Sequence, residues 1–250
     1  LNELVNGDTL IIQKIKDPRF RKLLSKLKLK GIRTGFTDCD LPLPNYYKDV
    51  FDFIICPSLL LKDLYIEQGF SHVYYIPDTP EVFNQPTELN GRPKINIVWF
   101  GNGTQGQWKN VEYAQILLAE HNYEFHTISN HPDATFGWNE NALTTLFNYD
   151  ICIIPLLDLN EERIRVKSSN RLLQSMALGH VPIVSRLPAY EEVIENQVNG
   201  FIAESADDFI NALNCLQDDD KRQRMQSLAF RKAREFDLRI VIDRWIEIIQ

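Results

Sequence analysis

Short apolar runs alternate with amphipathic segments along almost the whole chain. The runs include DTLIIQKI (8–15), FDFIICPS (51–58), KINIVWFG (94–101) and DICIIPL (150–156). The first amphipathic segment has apolar residues at the i, i+3, i+4, i+7 spacing of a one-faced helix: Phe20, Leu23, Leu24 and Leu27. Strands apolar on both faces that alternate with helices are typical of parallel sheets covered on either side. The pattern therefore predicts an α/β fold.

The alternation is interrupted between residues 79 and 94. This segment, TPEVFNQPTELNGRPK, holds three prolines and a glycine and shows no periodicity, as expected of a linker. Strand and helix patterns restart after it. The chain is therefore predicted to form two α/β units, over 1–85 and 86–235.

Composition narrows the classes of function. The 250 residues are 44% hydrophobic, which is enough for sizeable cores, and the net charge of −7 argues against a nucleic-acid-binding protein. Four cysteines lie far apart with no CxxC pair, so they predict buried, reduced thiols rather than a zinc or redox site. No apolar run reaches the roughly 18 residues of a membrane span, and no secretory signal is present, so a cytoplasmic protein is expected.

Positive charge is concentrated in one stretch of this acidic chain. Between residues 14 and 33 there are nine Lys and Arg residues, opposed within the stretch only by Asp17. Such a face is either simply solvated or rests on anionic lipid.

A glycine-containing loop, WFGNGTQGQWKN (99–110), follows one strand and precedes a helix predicted over 110–122. The glycines of this loop are Gly101, Gly103 and Gly106. They let the backbone approach a ligand, and the N–H groups of the following helix can face a phosphate. A single GxGxxG match without an acidic residue near 128–130 is a weak sign of a dinucleotide. Lys109 either adds a cation to the loop or is a solvated lysine at the start of the helix.

A second candidate lies before and at the start of a helix predicted over 169–179. Lys167, Ser168, Ser169 and Asn170 combine a cation, hydroxyl groups and exposed N–H groups, which together predict an anion site. The alternative is that Ser168 or Ser169 only caps the helix.

The segment KSSNRLLQSMALGHVPIVSRLPAYEEVIENQVNGFI (167–202) resembles the donor-binding segment of GT-B glycosyltransferases of the retaining group 1 class (family 4). The earlier pattern FIICPS…IEQGF…VYYIPD resembles, more weakly, the end of the acceptor domain in these enzymes. The resemblance implies two Rossmann-like domains with parallel sheets: an incomplete acceptor-side domain over 1–85, a nucleotide-sugar-binding domain over 86–235 and a helix within 236–250 that crosses back to the first domain. Acceptor domains of the class are usually longer, so an amino-terminal part is expected to be missing.

The resemblance also implies roles for individual residues. Lys167 would contact the donor diphosphate, Ser169 and Asn170 would offer it backbone N–H groups, and Gln174 would occupy the place of a glutamate that holds the ribose hydroxyls. The full set expected to bind the donor is Gly101, Asn102, Gly103, Lys109, Lys167, Ser168, Ser169, Asn170, Arg171 and Gln174.

Two positions depart from the class. Gln174 is an amide where the class has the second glutamate of an E-x7-E pair, and Val166 stands where the first is expected. Glu161 and Glu162 are nearby acids that would have to substitute. No catalytic residue is assigned; the candidates are Glu162 and the pair Asp38 and Asp40, whose alternative is a turn into the following LPLP segment.

The predicted function is retaining transfer of a hexose from a nucleoside-diphosphate sugar to a glycan or lipid-linked acceptor in cell-surface polysaccharide synthesis. No metal and no cofactor are expected, because leaving-group charge would be stabilised by lysine, arginine and helix N–H groups. The enzyme would be cytoplasmic, with the basic stretch 14–33 as a contact to the inner face of the membrane. The alternative is a non-catalytic nucleotide-sugar or glycan-binding module derived from the same fold.

Overall fold

The computed structural model describes residues 3–86 and 95–250, with the side chain of Gln105 left out. The expected linker therefore lies outside the described residues from 87 to 94. The chain divides into two compact units. The first comprises Leu1–Asp78, Asn160–Ser169 and Val241–Gln250, and the second comprises Thr79–Leu159 and Asn170–Ile240.

The first unit contains a four-stranded parallel sheet in the order β1-β2-β3-β4. The strands are β1 (Thr9–Gln13), β2 (Arg33–Thr37), β3 (Phe53–Cys56) and β4 (Val73–Tyr75). Helix α1 (Pro18–Leu29) begins with Asp17, whose side chain accepts a hydrogen bond from the Arg19 N–H, and α2 (Leu59–Glu67) is capped in the same way by Ser58. A 3-10 turn at Asn45–Tyr47 lies between β2 and β3.

The sheet of the first unit has an apolar cluster on each face. Phe36 and Ile54 pack with Leu24 of α1 and Tyr65 of α2 on one face. On the other, Phe53 and Ile55 pack against the final helix, α10 (Leu238–Ile249), through its buried residues Val241 and Ile248. The alternation along β3 explains both clusters, because successive side chains of a strand point to opposite faces.

The second unit contains a six-stranded parallel sheet in the order β10-β9-β8-β5-β6-β7. The strands are β5 (Ile97–Gly101), β6 (Phe125–Ser129), β7 (Phe136–Gly137), β8 (Ile151–Ile154), β9 (Val181–Ser185) and β10 (Phe201–Ala203). Its helices are α3 (Gln105–Glu120), α4 (Ala142–Thr145, followed by a 3-10 turn at Leu146–Asn148), α6 (Asn170–Ala177), α7 (Pro188–Glu191), α8 (Ala206–Cys215) and α9 (Asp219–Arg234). The predicted α/β class with two parallel sheets is confirmed.

Two helix boundaries differ from the sequence prediction. Helix α3 begins at Gln105 rather than at residue 110, so that Trp108 and Val111 are buried on its inner face. Gly106 is tolerated there because it lies in the first turn. The pattern of residues 188–197 predicts a longer helix than α7, which ends at Glu191, since the Asn199 side chain accepts the Glu195 N–H and donates to the Val193 carbonyl. These side-chain bonds compete with the helical ladder.

The positive stretch 14–33 is more neutralised than its sequence indicates. Acids from other segments of the first unit pair with it: Lys16 with Asp38 at 2.6 Å, Arg21 with Asp49 at 2.6 Å and Lys28 with Asp52 at 2.8 Å. Asp17 pairs with Arg19 at 2.5 Å. The residual positive face is therefore smaller than expected.

The burial of the four cysteines can be compared with the sequence prediction. Cys56 and Cys152 are buried, as expected, and desolvation raises the pKa of the Cys152 thiol to about 12. Cys39 and Cys215 are half-buried.

Among residues 3–86 and 95–250, no helix combines the length and the apolar character that crossing a bilayer requires.

Candidate functional site

The strand order of the second unit reverses between β5 and β8. Successive strands run outward from β5 in one direction and from β8 in the other. In open parallel sheets, ligands bind in the crevice beyond the carboxyl ends of the strands at such a switch point. The residues around the end of β5 are therefore the first to consider.

Arg171, in the first turn of α6, lies at this point. Its guanidinium group stacks over the Trp99 ring at 4.6 Å and donates a hydrogen bond to Gln107 Oε1 at 3.1 Å. Burial lowers the pKa of Arg171, opposed only by the weakly acidic Tyr190 and Cys152. Within the described part of the chain no carboxylate forms an ion pair with it. Arg171 is thus a half-buried, partly desolvated cation that no described carboxylate neutralises.

Gly101 ends β5 directly against this arginine. Its φ is +146°, and a Cβ atom added there would lie 2.4 Å from Arg171 Nη2. A side chain is therefore excluded on both steric and backbone grounds. The glycine lets the guanidinium group lie beside the strand end.

The start of α3 adds N–H groups to the same place. The N-cap residue Thr104 accepts no side-chain hydrogen bond from the first turn, which leaves the amino end of this 16-residue helix without a side-chain cap. Gln107, the partner of Arg171, also lies in this first turn. An uncapped helix start beside an unneutralised arginine favours an anion electrostatically.

The remaining residues of the glycine loop have other tasks. Asn102 is exposed. The Gly103 N–H already donates to Asn130 Oδ1 at 2.7 Å, and a Cβ on Gly103 would lie 2.4 Å from the Cβ of His131. The His131 ring in turn stacks on Trp108 at 3.9 Å. The segment after β6 therefore holds the glycine loop in place, a support that the sequence gives no signal for.

Lys109 does not lie at the end of the loop. Because α3 begins at Gln105, Lys109 is the fifth residue of the helix, and its side chain is exposed. The interpretation as a solvated lysine fits this position better than the interpretation as a loop cation.

The predicted anion-binding turn is divided between the two units. Lys167, Ser168 and Ser169 belong to the first unit, and Asn170 begins α6 in the second. Ser169 is buried at 3% exposure, Lys167 and Ser168 are half-buried, and Asn170 is exposed. Anion binding by these four residues stays a prediction.

Val166, which replaces the first expected glutamate, is fully buried in the core of the first unit. It packs in the cluster that contains Leu24 and Phe36, and its carbonyl accepts a hydrogen bond from Ser58 Oγ at 3.1 Å. This position anchors the segment 160–169 to its own unit.

Gln174, which replaces the second expected glutamate, binds the backbone that follows β4. Its Oε1 accepts from the N–H groups of Glu81 at 2.7 Å and Val82 at 3.4 Å, and its Nε2 donates to the Val82 carbonyl at 2.8 Å. The side chain is 5% exposed. These bonds give Gln174 a structural task, and its contact with a ribose stays a prediction.

The candidate catalytic carboxylates are spread over the first unit. Asp38 is buried; its Oδ1 accepts the N–H groups of Cys39 and Asp40 at 2.7 and 3.2 Å, an Asx turn, while Oδ2 pairs with Lys16. The turn that was the alternative for this residue is thus present. Asp40 is partly exposed and lies 3.9 Å from Arg163 Nε, and Glu162 is exposed at the start of the short helix α5 (Glu162–Arg165). No three His, Cys, Asp or Glu side chains of residues 3–86 and 95–250 are grouped to hold a metal ion.

No family model and no curated protein matches the chain. Solved structures resemble it over nearly its whole length. The GtfA/B complex has a TM-score of 0.70 at 11% identity, covering 99% of this chain and 58% of that one. TarM from S. aureus has a TM-score of 0.76 at 10% identity, with 98% and 56% covered. HepE from Anabaena, in complex with UDP, has a TM-score of 0.74 at 12% identity, with 96% and 78% covered.

This chain therefore spans a little over half the length of the GtfA/B and TarM chains. Its four-stranded and six-stranded parallel sheets with their helices form an α/β fold like that of these structures. At such low identity the likeness concerns the fold alone. The chain has the GT-B fold of glycosyltransferases.

Proposed function

We propose that the chain is a glycosyltransferase that uses a nucleoside-diphosphate sugar, and that the donor diphosphate binds beside Arg171. The observation that carries the proposal is an unneutralised, desolvated guanidinium group at the switch point of the sheet, beside the uncapped start of α3. A diphosphate has the charge and the oxygen atoms that such a site favours. The GT-B fold supports this interpretation, because HepE was crystallised with UDP and with UDP-glucose.

Charge stabilisation explains how these groups would promote transfer. When the bond between the sugar and the diphosphate breaks, negative charge develops on the leaving group. Arg171 and the N–H groups at the start of α3 are already oriented in the unliganded fold, so they stabilise this charge without further rearrangement. Lys167, with the N–H groups of Ser169 and Asn170, is the proposed second source of stabilisation. The proposed mechanism retains the anomeric configuration and needs neither a metal nor a cofactor.

The acceptor is proposed to be a glycan or a lipid-linked sugar in polysaccharide synthesis at the cytoplasmic face of a membrane. TarM, crystallised with α-GlcNAc-glycerol and UDP, supports a glycan-type acceptor. Four exposed lysines of the basic stretch carry no ion pair among the described residues and remain for contact with lipid: Lys14, Lys22, Lys26 and Lys30. Of the three candidate carboxylates, Asp40 and Glu162 are more accessible than the buried Asp38 and remain the candidates for acceptor contact.

A non-catalytic binding module is the second candidate function, and two observations favour it. Val166 and Gln174, at the positions of the expected acid pair, are both committed to structural contacts. A chain with this arrangement would retain the diphosphate site but lack the carboxylates that hold the rest of the donor.

Binding and turnover measurements separate these functions. Thermal shift with UDP, GDP, ADP, CMP and TDP first identifies the nucleotide, because a ligand that binds only the folded state raises the melting temperature. Release of nucleotide from the matching sugar donors is then followed with and without lipid-linked acceptors. If the chain is an enzyme, we expect Arg171→Gln to abolish turnover and the control variant Lys109→Gln to remain active. A binding module would bind the nucleotide and release nothing, and no thermal shift with any nucleotide would refute both.

A further inference from the structure

The first unit contains an open cavity at the amino-terminal edge of its sheet, opposite the edge at which α/β proteins usually bind their ligands. It has a volume of about 580 Å³, within the range of small-molecule sites. Its walls come from the end of α1 and from the residues that precede β2, β3 and β4. No role proposed above uses it.

Charged side chains from separate elements line this cavity. Lys28, Arg33, Lys48 and His72 face a single acidic residue, Asp52. Lys28 Nζ lies 2.8 Å from Asp52 Oδ1, so these two charges offset each other. Burial alone would raise the pKa of Asp52, but hydrogen bonds from Lys28 and Thr34 hold it below its ordinary value. The Asp52 carboxylate is therefore ionised and paired with Lys28, so the charges of Arg33 and Lys48 are left without a partner in the cavity.

Neither remaining cation is matched by a carboxylate in the part of the chain that the structure describes. The Arg33 guanidinium lies 4.7 Å from the centre of the Phe53 ring and donates to the carbonyl of Ile248, which leaves other N–H groups of its fork unused. Lys48 Nζ lies 5.6 Å from the centre of the Phe70 ring. Both cations are held by aromatic rings, so their positions are restricted without loss of charge.

The backbone of the cavity wall is also unusual. His72, directly before β4, has a φ of +54°, a left-handed conformation that costs a non-glycine residue about 1 kcal/mol or more. Such outliers persist where the surrounding structure holds them and are concentrated at functional sites. The carbonyl of His72 accepts the N–H of Ile54 at 3.0 Å, which fixes this turn to the neighbouring strand.

We propose that this cavity binds a phosphate group, with Arg33 and Lys48 as the cations that contact its oxygen atoms. A phosphate matches the two surplus charges, and the planar fork of an arginine pairs with two phosphate oxygens at once. The phosphate belongs either to a lipid headgroup or to a free phosphate ester. This site lies in the first unit and does not depend on the donor site of the second.

The first test locates phosphate binding by residue. Backbone amide shifts of the 15N-labelled chain are followed while potassium phosphate replaces potassium chloride at constant ionic strength. Saturable shifts are expected at Gly31, Ser71 and His72, apart from any at 101–107 in the donor site. Lys48→Met keeps the apolar stem over Phe70 and removes the charge, so it should weaken this binding about tenfold, the usual loss for one charge-assisted hydrogen bond. Lys62→Met removes one lysine charge of the same unit, on α2 and outside the cavity, and should leave the affinity unchanged.

The second test uses co-sedimentation with phosphatidylcholine vesicles that contain or lack phosphatidylglycerol. Loss of binding to the anionic vesicles in Lys48→Met, but not in Lys62→Met, identifies a lipid headgroup as the source of the phosphate. If the cavity amides shift in potassium phosphate but the two variants bind the anionic vesicles equally, the source of the phosphate is a free phosphate ester. The proposal is overturned if the cavity amides do not respond to phosphate and the two variants bind vesicles equally. Retained dispersion of the amide spectrum shows that each variant is folded.

Discussion

Replacing Arg171 by methionine should weaken diphosphate binding and leave the unliganded fold as stable as before, or more so. The two effects have different physical origins. In the unliganded chain the guanidinium group is desolvated and unneutralised, which is the reason its pKa is lowered. In the complex the same charge would be matched by the diphosphate. If Arg171 serves binding rather than stability, its replacement should lower the diphosphate affinity without lowering the free energy of unfolding.

The contacts of Arg171 set the expected magnitudes. The substitution removes a cation–π contact with Trp99, worth about 0.5–2 kcal/mol, and one hydrogen bond to Gln107, worth about 1 kcal/mol. It also relieves the partial desolvation of a half-buried cation, which offsets these losses, and methionine keeps most of the packing. Unfolding free energy should therefore stay within about 1 kcal/mol or rise. Loss of a charge-assisted contact of about 1.5–3 kcal/mol should weaken binding about 10- to 150-fold.

Urea unfolding followed by circular dichroism, and calorimetric titration with the nucleoside diphosphate of largest thermal shift, measure the two quantities. Arg186→Met is the matched control, because Arg186 lies in the same unit and forms exposed ion pairs with Glu191 and Glu204 at 3.3 and 3.1 Å. Exposed pairs contribute little, so the control should change neither quantity by more than about 1 kcal/mol. A variant that loses more than about 2 kcal/mol of stability and binds with unchanged affinity would show that Arg171 is a structural arginine.

Two further predictions concern the second unit. Gly101→Ala should displace the Arg171 guanidinium, since the new Cβ would lie 2.4 Å from Nη2 at a φ of +146°; we expect at least a tenfold loss of diphosphate affinity by calorimetry, and an unchanged affinity would contradict the contact. His180 is fully buried, its Nε2 donates a hydrogen bond to the Leu146 carbonyl, and burial lowers its pKa to about 4. Its folded pKa is below the unfolded value of about 6.5, so the unfolded state binds the proton more readily and about 3 kcal/mol of stability should be lost as pH falls from about 6.5 to about 4. Urea unfolding across that range should show a smaller loss in His180→Gln, and equal pH dependence in the two proteins would refute the assignment.

The architecture was predictable because it follows from local patterns. Apolar runs such as the one that forms β8 and one-faced helices such as α1 are encoded within a few residues, and their alternation leaves few arrangements other than parallel sheets. The amino-terminal boundary of α3 was harder to predict from the sequence. Gly106 and the polar residues around it are typical of a loop, and only the burial of Trp108 in the folded unit shows that the helix begins earlier.

The site was only partly predictable, because its central contacts join distant segments. Gly101 and Arg171 are separated by 70 positions, and nothing in either segment indicates that one lies against the other. The resemblance identified both segments and implied a ribose contact for Gln174, but it gave no sign that this amide also binds the backbone at Glu81 and Val82. The neutralisation of the basic stretch depended in the same way on Asp49, which only the fold brings near.

Val166→Glu tests whether the first acidic position expected of the class can be restored. Val166 is fully buried among apolar side chains of the first unit, so a carboxylate placed there loses hydration with no cation to replace it. We expect a loss of more than about 3 kcal/mol of unfolding free energy at pH 7, compared with about 2 kcal/mol for Val166→Ala, which only removes methyl groups. The deficit should shrink toward pH 5, because a buried carboxyl group has a raised pKa and is increasingly neutral there. Urea unfolding at both pH values measures this, and an equal stability of the two variants at pH 7 would mean that position 166 is accessible to water. If the expected loss is found, the absence of the glutamate is a consequence of how the segment 160–169 is anchored, and one substitution cannot reverse it.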